Sequence, residues 1–207
     1  MRPTTARVRD GTARRQRGKD RVDRILSAAR NLFIADGYAG LSVRRVAEEA
    51  GISVGNLTYY FGSKADLFQS MIDRVLEDYS DALSRATVRG ADEPVEQLQN
   101  YLRELFADCA KPDTQKFFYQ FWATAEHDAF VAGARERVYA TFERELTGLC
   151  RPLDPDLADG ALARRVVLVM ALVEGLHVVL GSRRRSRKAL GELETEFLRQ
   201  AVAIIRA

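Results

Sequence analysis

The stretch Leu41–Lys64, LSVRRVAEEAGISVGNLTYYFGSK, decides how this chain folds. Ser42 offers a hydroxyl to the unpaired amides of a helix start, and Val43, Val46, Ala47 and Ala50 then recur at the spacing of one buried helical face. Gly51 ends that helix, because the residue just past a helix C-terminus commonly takes a positive φ that glycine adopts without steric cost. Ala47 is small enough for a second helix to cross closely, and Ile52 fills the corner. Ser53 caps the second helix, whose Leu57, Tyr60 and Phe61 fall three to four apart and point inward. Val54, Gly55, Asn56, Thr58 and Tyr59 are left facing outward.

Downstream, Ser63-Lys64-Ala65-Asp66 pairs a hydroxyl cap with a carboxylate three residues later. It opens a further helix carrying Leu67, Met71, Ile72, Val75, Leu76, Tyr79 and Leu83 on its apolar side. Lys64 falls in that helix's first turn, where amides and a cation together suit a phosphate. Two short capped helices across a glycine turn, the second with a polar outward face, have the form of a helix-turn-helix that reads the DNA major groove. The same spacing also occurs in all-helical proteins with no such role, so the residues carry the distinction.

From Ile25 to Phe68 those residues resemble the N-terminal domain of the TetR family of bacterial transcriptional repressors. The likeness lies in Phe33, Gly37-Tyr38, Ser42, Val46-Ala47, Ala50-Gly51-Ile52-Ser53, Tyr59-Tyr60-Phe61 and Ser63-Lys64. It implies a DNA contact set on the second helix: Ser53, Val54, Gly55, Asn56 and Thr58, with Tyr59 on a base or sugar and Tyr60 on a phosphate from the helix end. Thr58 stands where many members carry a tyrosine; members resembling the choline-responsive BetI repressors carry a small hydroxyl residue there. Arg44 and Arg45 lie in the first turn of the preceding helix, placed for one to reach a base edge and the other a phosphate. The plain alternative for both is a solvated helix face.

The 207 residues, 46% of them hydrophobic, are enough for a sizeable core, and infrequent Gly and Pro argue against a disordered chain. The net charge of +3 conceals an asymmetry: residues 1–21 hold eight basic side chains against two acidic ones, a net +6, which leaves −3 for the remainder. With almost no large apolar residues, this arm is expected to be disordered in the free protein and to follow a phosphate track or enter a minor groove. It lacks the apolar core of a signal peptide. Cys109 and Cys150 lie far apart without metal-binding or redox spacing and read as small core residues.

Beyond the Gly90 to Pro94 loop the pattern is helical to the end. Val95, Leu98, Tyr101, Leu102, Leu105 and Phe106 form one apolar face, and Lys111-Pro112-Asp113 closes that helix and opens an aromatic one. A long helix is predicted over about 128–149, and Asp154-Pro155-Asp156 is expected to open the next. Residues 166–180 are apolar nearly all round, too short and too polar for a bilayer span, and call for partners on several sides. With the last helix, over about 188–205, they suit a helix-helix dimer seam, and the TetR resemblance implies a four-helix interface there. The Phe121-Trp122 and His127-Asp128 stretch resembles the BetI-type C-terminal domain.

A ligand pocket is expected from Phe118, Phe121, Trp122, Tyr139, Phe142 and Met170, with Glu126, Glu174 and His177 as polar groups. Ordinary core packing is the alternative for the aromatics, and Glu174 and His177 fit the pocket or the seam equally. An aromatic box with a carboxylate suits a quaternary ammonium ion, as the resemblance implies, and greasy or aromatic effectors fit as well. Neither histidine belongs to a metal or nucleophile motif, and no phosphate-binding glycine loop appears, so catalysis, a metal and a cofactor are not expected. The basic arm and Arg183–Lys188 raise membrane-surface binding as a rival.

The expectation is an all-α, cytoplasmic, homodimeric regulator released from a double-stranded DNA operator by a small molecule. It has the basic arm over 1–21, a three-helix DNA-binding domain over 22–68, and a helical effector-binding and dimerisation domain over 69–207.

Overall fold

The computed structural model describes residues 5–89, 93–181 and 186–207, the side chains of residues 5–17 and 89 excepted. The described residues form α1 (Thr5–Gly40), α2 (Val43–Glu49), α3 (Val54–Tyr60), α4 (Lys64–Arg89), α5 (Pro94–Cys109), α6 (Pro112–Ala125), α7 (Ala129–Cys150), α8 (Asp159–Gly181) and α9 (Arg187–Arg206). A 3-10 turn, Arg151–Leu153, follows α7. The chain divides into two compact units within α4, one ending at Arg74 and the other beginning at Val75. This falls six residues beyond the boundary expected after 68, because Met71 and Ile72 are still buried in the first core and Arg74 bonds to Asp23 of α1.

In the first unit, Ile25, Ala29 and Phe33 of α1, Val46 and Ala47 of α2, Leu57 of α3 and Leu67 and Phe68 of α4 are all at or near full burial. Phe68 takes edge-on contacts from Phe33, at 5.3 Å between centroids, and from Tyr38, at 4.9 Å. α1 is broken at Gly37, whose φ of 67° lets the chain turn toward α2. Its N-terminus requires a correction: the backbone is helical from Thr5, through residues expected to lack regular structure. Ala, Arg, Gln and Lys are strong helix formers, so a helix already anchored by packing at Ile25 extends outward without needing further buried surface.

In the second unit, α5, α7, α8 and α9 build one core from Leu98, Leu102, Leu105, Leu146, Val166, Val169, Phe197 and Ala201, among others. Proline stands at the first turn of both α5 and α6. Cys109 and Cys150 are free and buried, and burial pushes the Cys150 thiol up to about 12. The start of α8 also differs from expectation. Asp154-Pro155-Asp156 lies in a turn and the helix begins at Asp159, because the Arg151 guanidinium donates to the carbonyls of Pro155 and Leu157 and binds Asp159. Those bonds hold the segment out of helix. One face of α8 enters the core; Val167, Leu168, Leu172, Val178 and Val179 on its other sides are exposed. Residues 183–185 of the basic cluster lie outside the described residues, and Arg187 and Lys188 open α9 behind a Ser186 cap.

Candidate functional site

The reading head is built from backbone rules upward. The Ser42 hydroxyl accepts from the Arg45 amide, Ser53 from Asn56, and Ser63 from Asp66. Each cap satisfies a donor that the first helical turn would leave unpaired. At the turn, Gly51 has φ 65°, the Ile52 amide donates to Ala47 O at 2.9 Å and the Gly51 amide to Glu48 O at 3.1 Å. This paired closure is the Schellman motif, and it fixes the angle at which α3 leaves α2.

On α3, Leu57 is fully buried while Ser53, Val54, Gly55, Thr58 and Tyr59 are exposed, Tyr59 at 83%. Tyr60 is half-buried, with its ring 5.1 Å from that of Tyr59. Asn56 is half-buried and its side-chain carbonyl accepts from Arg21, while the Thr58 hydroxyl donates to Gly55 O. The two arginines of α2 differ. Both are exposed, but Arg45 is tied to Asp36 and donates to Gly40 O at 2.8 Å, so part of its donor set is spent on the α1–α2 junction. Lys64 holds its ammonium 3.9 Å from the centre of the Tyr38 ring. Such a cation–π contact orients the side chain and leaves ammonium donors available.

The second unit contains a partly open cavity of about 30 Å³, enough for about one water molecule. Of the residues expected to form a pocket, Phe118, Tyr139, Phe142, Glu174 and His177 line it. Trp122 stands behind this wall and donates its indole N–H to the Tyr139 hydroxyl at 2.8 Å. Phe121 and Met170 are buried but do not line the cavity, and Phe121 stacks on Phe117. Glu126 needs a correction: it is 64% exposed and paired with Arg135, whose guanidinium holds its carboxyl below the usual range. An arginine nine residues further on draws it to the surface.

The remaining wall comes from residues the helical patterns did not single out for this role, including Leu76 and Tyr79 of α4, Tyr101 and Cys109 of α5, and Glu145 of α7. Periodicity marks Leu76, Tyr79 and Tyr101 as apolar-face residues but not the charged Glu145, and it carries no signal of which inward faces leave a gap between them. Their polar groups are largely satisfied: Tyr79 donates to Asp108 at 3.0 Å, while Ser80 and Tyr101 donate to the two oxygens of Glu145. Glu174 differs. Its Oε2 is buried with no hydrogen-bond partner, and desolvation raises the carboxyl to about 7. His177, 3% exposed, has its Nδ1 3.9 Å from that oxygen, beyond hydrogen-bond reach, and burial lowers its pKa toward the neutral imidazole. The ring packs 4.4 Å from Phe118, and its Nε2 lies 3.5 Å from the Cys109 sulfur, whose thiol burial keeps protonated.

An exposed, capped second helix leaving a Schellman turn has the form of a helix-turn-helix DNA-binding regulator. Residues 25–71 match the bacterial regulatory proteins of the tetR family, and residues 94–203 match the C-terminal domain of BetI-type transcriptional repressors. The chain belongs to the TetR family of transcriptional regulators, and its C-terminal domain is of the BetI type. It is 28% identical over 187 residues to an HTH-type transcriptional regulator in the dhlA 5′ region of Xanthobacter autotrophicus, covering 89% of this chain and 91% of that one. It is 26% identical over 153 residues to the HTH-type regulator BetI of Paraburkholderia phytofirmans, covering 73% and 77%. Its fold matches a transcriptional regulator from Pseudomonas aeruginosa PAO1 with a TM-score of 0.75 at 19% identity, covering 90% and 92% of the two chains. Salmonella enterica GusR matches with a TM-score of 0.67 at 22% identity, covering 91% and 96%. Among the described residues no helix is long and apolar enough to cross a membrane.

Proposed function

We propose that this protein is a cytoplasmic homodimeric repressor that occupies a pseudo-palindromic operator and leaves it when a small molecule enters the cavity of its C-terminal half. The observation that carries this reading is the course of α4, which begins at the reading head with Lys64 and contributes Leu76 and Tyr79 to the cavity wall. A ligand that favours a wider cavity therefore acts on the helix from which the reading head is hung. Ser53, Val54, Gly55, Thr58 and Tyr59 face the bases; Arg44, Tyr60 and Lys64 hold the backbone, with Arg45 and Asn56 bracing the head from within.

The exposed apolar face of α8 supports the dimer. A second copy covers Val167, Leu168, Leu172, Val178 and Val179 by presenting the same face. Two heads then address half-sites about 34–36 Å apart, or a multiple of that. Catalysis forms no part of this reading, since the neutral His177 and protonated Cys109 are held in a packed wall without a nucleophile poised for substrate.

A footprint on the DNA flanking its own gene, with competitor DNA at near-physiological salt, tests the reading. A protected pseudo-palindrome is the expected result. Diffuse binding that vanishes with salt, there and across a genomic fragment library, overturns it.

A further inference from the structure

Charge inside the cavity is one-sided. Glu145 and Glu174 both line it, none of the lining residues is a lysine or arginine, and burial keeps His177 toward its neutral form. The two carboxylates are not equivalent. Glu145 receives the Ser80 hydroxyl at 2.7 Å and the Tyr101 hydroxyl at 2.9 Å, one on each oxygen. Glu174 is engaged by the Tyr139 hydroxyl, yet its Oε2 is buried without any donor, and the nearest imidazole nitrogen stays 3.9 Å away. A buried acceptor without a protein donor is costly, and a donor arriving from outside lowers that cost. Around it, Phe118, Phe142, Val138 and Val173 offer apolar surface.

We propose that the effector is a protonated amine bearing at least one N–H bond and an apolar body, its N–H donated to Glu174 Oε2 and its body laid against Phe118, Phe142 and Val173. The proposal rests on reading this cavity as the effector site. The directional requirement separates two kinds of cation. A quaternary ammonium ion neutralises a carboxylate through diffuse charge but has no hydrogen to give, so Oε2 stays unbonded. A primary or secondary ammonium supplies both charge and donor, and charge-assisted bonds of this kind are the stronger ones. A neutral alcohol of the same shape supplies a donor but leaves two carboxylates without a counter-charge.

The test is calorimetric titration of the full-length protein at pH 8 with two matched series, 2-phenylethyl and hexyl bodies, each as primary ammonium, trimethylammonium and alcohol. In at least one series the primary ammonium is expected to bind about tenfold or more tighter than both counterparts, a difference of the size that one charge-assisted hydrogen bond supports. In Glu174→Gln that preference disappears. Equal or tighter binding of the trimethylammonium compounds, a preference that survives Glu174→Gln, or no binding by any of the six overturns the proposal. The series on the unaltered protein decides by itself if the variant does not fold. Failure here with an intact operator footprint removes only the amine assignment. Selective amine binding without operator release removes the regulatory coupling and leaves the assignment standing.

Discussion

The two halves of this protein treat their polar groups in opposite ways. In the reading head, three serine hydroxyls satisfy the helix starts, and the side chains offered to a partner stand in water, Tyr59 above all. In the C-terminal half, the side chain that distinguishes the cavity is a carboxylate whose Oε2 is buried and has no protein donor. A surface that binds a large charged polymer costs the free protein little stability, because water serves its polar groups until DNA replaces it. A buried acceptor without a protein donor costs the free protein stability, and on the proposed reading that cost is part of how the chamber recognises its ligand.

This contrast ranks three substitutions. Leu57→Ala, at the fully buried centre of α3, is expected to destabilise the head by about 2–5 kcal/mol. Denaturant unfolding followed by circular dichroism measures it, and a change below 0.5 kcal/mol, on the order of a surface substitution, would show that the head does not depend on this packing. Glu174→Gln goes the other way. The carboxyl is raised from 4.5 to about 7 in the folded state, so folding loses stability as pH rises between those values and stays penalised above 7. Removing the charge is expected to stabilise the free protein by up to about 3 kcal/mol at pH 8 and by nearly nothing below pH 4.5. Thermal melts at both pH values read this difference, and an equal gain at both would mean that packing rather than ionisation is at work. Tyr59→Ala is expected to leave the melting temperature and the oligomeric state unchanged while weakening operator binding by about 1–3 kcal/mol, roughly 5- to 150-fold. Fluorescence anisotropy with operator DNA checks it; unchanged affinity would take Tyr59 out of the contact set.

Legibility in the sequence followed how local the cause was. Ser42, Gly51, Ser53, Ser63, Pro94 and Pro112 act on amides and torsions within a few residues, and the structure has them where the reading placed them. The delayed start of α8 was hidden because its cause is an arginine that binds carbonyls four and six residues away. Glu126 read as a pocket group and is a surface ion pair, again through an arginine on another helix. The N-terminal arm lacks apolar residues, which argues against regular structure, but a helix anchored elsewhere asks only for good helix formers. The cavity was half legible: aromatics on α6 and α7 announced themselves, whereas Tyr79, Tyr101 and Glu145 join it only because three helices converge.

The small size of that cavity also bears on time. About 30 Å³ has room for water but not for an organic cation, so on the proposed reading the walls part before a ligand is held. At high ligand concentration the observed binding rate therefore levels off at the rate of parting, a collective motion of the microsecond to millisecond class. On that reading the shortest delay between a saturating signal and the response is a property written into the packing of α4, α5, α6, α7 and α8.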